Sequence, residues 1–293
     1  MFKLTVVIPT YNRKESILHV LELLKTQEIK DIDLSIIVVV DGSTDGTREA
    51  IKSHFPEVTI IEGDGNWWWT RSVNEGCKRA VKNGADAVLL LNDDTRFDHN
   101  YLETLVKSAK TQPRAIIGSL NLTEEKEKRI YFSGAVKFQW WWGKLQGYHP
   151  FLSPYHHKLT GLHKSIVLPG RGVLIPAEVF QAIGYFDERA LPQYKADYEF
   201  TLRANRRHIQ TLISWDAVIF VNVKATGKGS TFIRQGFCTF LTSLFKKNSR
   251  TNLYRNFLYY KHFYPAWARP LFPLTALMVL IRQLVLFIKG RKY

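Results

Sequence analysis

The stretch AVLLLNDDTRF, Ala87 to Phe97, ends an apolar run in Asn92, Asp93 and Asp94. Adjacent carboxylates repel each other and are costly to bury, so this pair is expected at a strand end that meets water or a cation. Another acid, Asp197, stands in KADYEFTLR at a helix start, where Asp also suits an N-cap. In the same segment Glu199 and Arg203 have the one-turn spacing of an intrahelical ion pair. Three more polar segments follow apolar runs: Pro9-Thr10-Tyr11-Asn12, Asp41-Gly42-Ser43 and Gly63-Asp64-Gly65. Trp67-Trp68-Trp69 and Trp140-Trp141-Trp142 offer indole faces on which the C–H faces of sugars can stack, although at least one Trp of the first run is also suited to the core. The second run suits an acceptor side or a membrane interface. The adjacent His156 and His157 read as surface residues, because neighbours in a loop seldom share a metal.

Strands and helices must bring these groups together. LTVVIP and LSIIVVVD are β-branched runs, the second apolar enough to be buried on both faces. RKESILHVLELLKTQ has helical spacing, with Ile17, Val20, Leu21 and Leu24 on one side. Asp45 or Thr47 can cap a helix over REAIKSHF, and TRSVNEGCKRAVKNG reads as a helix stopped by Gly84. VTIIEG, AVLLL and RAIIGSL complete the strands of the first half, with a helix over NYLETLVKSAKTQ. Such alternation calls for a parallel, doubly wound sheet, in which ligands bind beyond the carboxyl ends of the strands. The four polar segments then share one edge, and Asp93 and Asp94 face a ligand crevice. Further on, SIVLPGRGVLIPAEVFQAIGYFDERA reads as strand, turn, strand and short helix, ADYEFTLRANRRH as a helix, and QTLISWDAVIFVNV as strands.

VVIPTYNR, VVVDGSTDGT, GNWWWTRSVNEG, LLLNDDT, GRGVLIPAEVFQAIGYFDE and ADYEFTLR, in this order, resemble glycosyltransferase family 2, the inverting nucleotide-sugar transferases of GT-A fold. The likeness runs from residue 4 to residue 231 and is similar in feel to rhamnosyltransferases. It implies an α/β GT-A fold, a mostly parallel sheet with helices on both faces. It implies a UDP- or dTDP-sugar as donor. Pro9, Thr10, Tyr11 and Asn12 would lie at the uracil or thymine, Asp41 would accept a ring N–H, and Ser43 belongs to the turn at the ribose. An aromatic face and a carboxylate suit a nucleobase physically. The NDD segment stands where the family has an acidic D-x-D motif. Asp94 would therefore ligate a divalent cation, Mg2+ or Mn2+, that neutralises the leaving diphosphate. Asp93 would touch ribose or metal-bound water. Asp197 would be the general base that takes the acceptor hydroxyl's proton. Asn74 and Arg171, the latter in PGRG, match positions near the donor sugar, and Trp67, Trp68 and Trp69 would touch sugar or acceptor.

The chain departs from the family pattern at three places. Asn92 replaces the first acid of the motif, Ala196 replaces a Glu before the base, and VNVKATGKGST lacks a His, with Lys224 and Lys228 nearby. These departures keep open a second reading, a membrane-associated sugar-nucleotide binding protein without catalysis. A sugar-1-phosphate nucleotidyltransferase fits less well, because PTYNRKES has no Gly-rich loop.

The formal charge of +15 is unevenly placed: Ala217 to Tyr293 hold thirteen Lys and Arg and no Asp or Glu. The preceding body is nearly neutral. RPLFPLTALMVLIRQLVLFIKGRKY is too greasy for a nucleic-acid arm and suits a helix lying in an anionic membrane surface. Pro273 and Arg282 leave its apolar run short of the roughly 20 residues of a span. The expected organisation is a catalytic domain over 1–231, with nucleotide and acceptor halves meeting near residue 120, and a basic helical region over 232–293. A lipid-linked or glycan acceptor at the inner face of the cell membrane follows from the tail together with the resemblance. Cys77 and Cys238 indicate no disulfide framework, and no secretory signal precedes the first strand, so a reducing cytoplasm is the expected compartment.

Overall fold

The computed structural model describes residues 1–139, 144–155, 159–222, 241–246, 249 and 252–288. Trp140–Trp142, His156, His157, Lys224, Lys228, Cys238 and the expected boundary at residue 231 lie outside them.

The first half alternates as its periodicity dictates. Strand β1 (Phe2–Thr10) leads to α1 (Lys14–Lys25), β2 (Ile32–Asp41) to α2 (Thr47–His54), and β3 (Thr59–Gly63) to α3 (Trp68–Lys82). Then come β4 (Ala87–Leu90), the short β5 (Thr95–Arg96), α4 (Tyr101–Thr111) and β6 (Ile116–Thr123). β1 pairs in parallel with β2 and β4, and β2 with β3. Their carboxyl ends, Thr10, Asp41, Gly63 and Leu90, therefore share one edge of the sheet.

In the second half β7 (Arg129–Phe132) and β10 (Ser153–Pro154) extend the sheet, while β8 (Ala135–Gln139) and β9 (Lys144–Gly147) form a separate hairpin. β11 (Leu162–Lys164) precedes β12 (Val173–Pro176), α5 (Ala177–Ile183), α6 (Ala196–Arg206) and β13 (Thr211–Val221). The order β10-β7-β6-β12-β4-β1-β2-β3 is mixed, because β12 runs antiparallel between β4 and β6. The chain reaches β12 from a turn at the carboxyl edge, so residues 170–172 arrive beside the end of β4, where the Gly172 N–H donates to the Leu90 carbonyl (2.8 Å). The strand expected just before PGRG is instead β11, and QTLISWDAVIFVNV is one strand with a register shift between Ser214 and Val218.

Alternate residues of β1 feed two cores. Val6 and Ile8 pack with Ile17, Leu21 and Leu102 on one face; Val7 packs with Val73, Cys77 and Phe200 on the other. Burying each such side chain is worth about 1.5–3 kcal/mol. Helix α3 approaches closely because residue 76 is Gly, where a Cβ would come within 2.3 Å of Val7 Cγ1.

Helices α7 (Leu253–Phe263) and α8 (Phe272–Ile288) follow, joined by a 3-10 turn over Ala266–Leu271. Tyr259, Tyr260, Tyr264 and Ala268 are buried in the second core, so the C-terminal helices share packing with the α/β body. Leu274, Leu277, Ile281 and Val285 form an exposed stripe on α8. Among the described residues no helix is long and apolar enough to cross a membrane.

Candidate active site

Asp41 closes β2 and organises the next loop. Its Oδ1 accepts the Gly65 N–H (2.8 Å), and its Oδ2 accepts those of Trp67 and Trp68 (3.0 Å each). Gly63 permits this fold-back, since a Cβ there would lie 2.5 Å from Asp41 Oδ1. Helix α3 consequently starts at Trp68, two residues before the pattern expected, with Trp68 at φ +57°. Residues held at positive φ cost of order 1 kcal/mol or more and persist where surroundings over-determine them. A carboxylate has about four acceptor directions, and these three amides take three of them.

The end of β1 locks onto the same region. The Asn12 N–H donates to Ser43 Oγ (3.0 Å), and Asn12 Oδ1 accepts the Thr44 N–H (2.7 Å). Asp45 Oδ1 accepts the N–H and hydroxyl of Thr47 at the start of α2, and Oδ2 accepts the Lys14 N–H (3.0 Å). Tyr11, 56% exposed beside the half-buried Pro9, presents a ring at this edge.

The acidic pair lies next to it. Thr10 Oγ1 donates to Asp93 Oδ2 (2.9 Å); Arg13 Nη1 donates to Asp93 Oδ1 (2.9 Å) and Asp94 Oδ2 (3.1 Å). Burial lifts the Asp93 carboxyl to about 6, with Arg13 opposing the shift and Asp94 adding to it. The two carboxylates and the Asn92 carbonyl are hard oxygen donors of the type Mg2+ and Mn2+ take. The Arg13 guanidinium bonded to both acids marks a position that holds positive charge. The residues therefore fit a cation. Among the described residues no group of three His, Cys, Asp or Glu could hold an ion, so its shell would have to include ligand oxygens or water.

Asp197 lies in the first turn of α6. Its Oδ2 accepts the Gly170 N–H and its Oδ1 the Tyr198 N–H, both at 2.9 Å. Burial pushes this carboxyl above the usual carboxylate range, against the pull of those amides and of Arg171. Trp69 links the two acidic centres. Its Nε1 donates to Asn92 Oδ1 (3.3 Å), and its ring lies so close to Gly170 that a Cβ there would come within 2.3 Å of Cζ2. Asp197, Gly170, Trp69 and Asn92–Asp94 thus form a contiguous series along one sheet edge. Gly170→Ala should displace either Trp69 or the amide that holds Asp197. A misplacement of this size should lower kcat about 10–100-fold while a thermal melt shows the fold retained.

The remaining expected residues are placed differently. Asn74 is buried, donating to the Phe186 carbonyl (2.9 Å) and Glu188 Oε2 (2.7 Å) and accepting the Phe186 N–H (3.0 Å). It anchors the 186–188 loop beneath the site. Arg171 stacks over Tyr131, 5.6 Å from the ring centroid. Trp67 packs on the second core under Arg71, and Trp69 meets Phe186 edge-on. Glu199 and Arg203 make the expected pair at 2.7 and 3.0 Å, which ties α6 to the carbonyls of Ile183 and Tyr185. Three contributors escaped the sequence: Arg13, the Gly170 amide, and Lys195. Lys195 precedes α6 at φ +70° and bonds to Asn256, with its ammonium 4.7 Å from the Tyr259 ring centroid. The signal for Arg13 in the sequence is a cation three residues beyond the first strand end.

The sequence pattern of the family described as "Glycosyl transferase family 2" matches residues 5–168, more than half of the chain. The chain belongs to glycosyl transferase family 2. A second pattern, "Glycosyl transferase family group 2", matches residues 87–288 and takes in α7 and α8. Among curated relatives of this glycosyltransferase, "Glycosyltransferase GlyA" of Streptococcus pneumoniae is 30% identical over 136 residues, 44% of this chain and 18% of that protein. "GalNAc(5)-diNAcBac-PP-undecaprenol beta-1,3-glucosyltransferase" of Campylobacter jejuni is 26% identical over 139 residues, 46% of this chain and 43% of that protein. "Dolichyl-phosphate beta-glucosyltransferase ALG5A" of Trichomonas vaginalis is 30% identical over 139 residues, 43% of this chain and 42% of that protein. The chain thus matches less than half the length of each. A crystal structure of GalNAc-T7 with UDP, GalNAc and Mn2+ superposes with a TM-score of 0.62 at 14% identity, over 75% of this chain and 43% of that one. That likeness establishes the GT-A-like α/β fold.

Proposed function

We propose that this family 2 glycosyltransferase moves a hexosyl group from a UDP- or dTDP-sugar to a hydroxyl of a lipid-linked glycan, with inversion at the anomeric carbon. The observation that carries the proposal is the Trp69–Gly170 bridge, which ties the Asn92–Asp94 segment and the buried Asp197 to one edge. Pro9, Thr10, Tyr11, Asn12, Asp41 and Ser43 hold the base and ribose. Asp93 and Asp94 hold Mg2+ or Mn2+, which supplies a Lewis acid for the leaving diphosphate. Asp197 takes the proton of the attacking hydroxyl, and its two amide bonds fix the direction in which the carboxylate points. Trp69 and Arg171 flank the space between these centres. The names of the Campylobacter and Trichomonas relatives support a polyprenyl- or dolichyl-linked acceptor and a glucosyl donor; the motif likeness keeps a rhamnosyl donor in view.

The exposed stripe of α8, Trp267 and the absence of acidic residues from Ala217 to Tyr293 support docking of the C-terminal helices on an anionic membrane, on its cytoplasmic side. The experiment is nucleoside diphosphate release from a panel of UDP- and dTDP-sugars, with lipid-linked acceptors presented in neutral or phosphatidylglycerol-rich vesicles. Acceptor-dependent release that is faster on anionic vesicles is expected. Donor binding without release under any acceptor or cation would favour a non-catalytic sugar-nucleotide binder, the reading that Asn92 and Ala196 leave open.

A further inference from the structure

The motif likeness gives Arg13 no role, yet its side chain contacts both acids of the pair. A single nitrogen, Nη1, donates to both Asp93 and Asp94. The side chain is one-third exposed, whereas the two carboxylates are nearly buried. Among the described residues the Nε and Nη2 hydrogens of the guanidinium have no partner. Backbone bonds hold the chain on both sides of Arg13: the Asn12 and Lys14 N–H groups donate to Ser43 and Asp45, and the Arg13 carbonyl accepts the Ile17 N–H (3.0 Å). The backbone is held on both sides, so any displacement of the guanidinium has to come from rotation of the side chain.

A divalent cation on Asp94 would share that carboxylate with the Arg13 guanidinium already on its Oδ2, and two like charges so close make cation and guanidinium compete. A diphosphate changes that competition. It offers the guanidinium a bidentate anionic partner for the unused donors, and it brings oxygens that complete the cation's shell. Resting on the nucleotide-sugar reading of this site, we infer that Arg13 is a cation gate: it occupies the acidic pair until a nucleoside diphosphate draws it away, so cation and nucleotide bind with positive coupling. Coupling is reciprocal, and Mn2+ tightens the nucleotide by the factor with which the nucleotide tightens Mn2+.

The test uses Mn2+, UDP and dTDP as probes, with bound Mn2+ read by electron paramagnetic resonance and nucleotide by calorimetry; turnover is not measured. For the wild type, Mn2+ should bind at least tenfold more tightly when UDP or dTDP is present. Arg13→Gln should bind Mn2+ alone at least tenfold more tightly than wild type, and its nucleotide coupling should shrink at least tenfold. Arg13→Lys keeps the charge on a shorter side chain without the planar fork. It should bind Mn2+ alone at least threefold more tightly, and it decides the question if Arg13→Gln fails to fold. Equal or weaker Mn2+ affinity in whichever variant folds would overturn the gate alone. If neither UDP nor dTDP binds wild type with Mn2+, the nucleotide-sugar reading falls and the gate falls with it.

Discussion

Asp197→Asn should lower turnover by about 10²–10⁴-fold, the usual contribution of a positioned general base, while the thermal shift given by a donor nucleotide persists. The amide cannot take the acceptor's proton. It can still accept one of the two backbone N–H bonds, from Gly170 or Tyr198, and loses the other at a stability cost of about 1–3 kcal/mol. A donor-induced shift measured beside the turnover separates lost chemistry from lost folding. Burial raises the Asp197 carboxyl in the folded chain. Since only the ionised form accepts a proton, kcat/KM should climb with pH along an acid limb displaced above the usual Asp range. Asp197→Asn should remove the Asp197 contribution to that limb and leave the part set by Asp93, which burial lifts to about 6. A variant that turns over like wild type would remove Asp197 from the chemistry.

Asp94→Ala addresses the other end of the site. Stabilisation of a leaving diphosphate by a cation is worth several kcal/mol, so turnover at fixed Mn2+ should fall about 10²–10³-fold. Part of the loss should return at high Mn2+, because Asp93 and the Asn92 carbonyl remain as oxygen donors. A Mn2+ titration of initial rates checks this. An unchanged Mn2+ dependence would show that the ion does not sit on Asp94. The contrast between the two variants is informative: Asp94→Ala should impair nucleotide binding with Mn2+ as well as rate, and Asp197→Asn should impair rate alone.

The strand-end segments are legible in the sequence because each apolar run stops abruptly at Pro, Gly, Asp or Asn, and parallel pairing then forces those ends onto one edge. Asp197 is visible because an acid at a helix start has few roles, capping and catalysis foremost. The tertiary partners are harder to read. Nothing in PTYNR says that the Arg13 side chain turns toward residues 93 and 94, eighty positions away. Nothing in GDGNWWW says that Asp41 will fold three of that segment's amides onto itself. Asn74 matches a donor-side position by motif, yet its whole amide is spent on the 186–188 loop, a distinction that only packing can make. The antiparallel β12 also escapes periodicity: a short apolar strand does not encode its direction, and here the turn at Gly170–Gly172 sets it. The same turn supplies the amide on Asp197. Composition marks the C-terminal region as basic and apolar. It does not reveal that Tyr259 and Tyr264 enter the core beside α6, or that Lys195 at positive φ is gripped by α7.

The most direct measurement is a crystal structure with Mn2+ and whichever of UDP or dTDP gives the larger thermal shift. The base should lie against Tyr11 and Asp41, the ion on Asp94, and the terminal phosphate on the side that opens toward Trp69 and Asp197. A nucleotide seated elsewhere, or one whose terminal phosphate points away from Asp197, would contradict a shared site for metal and base.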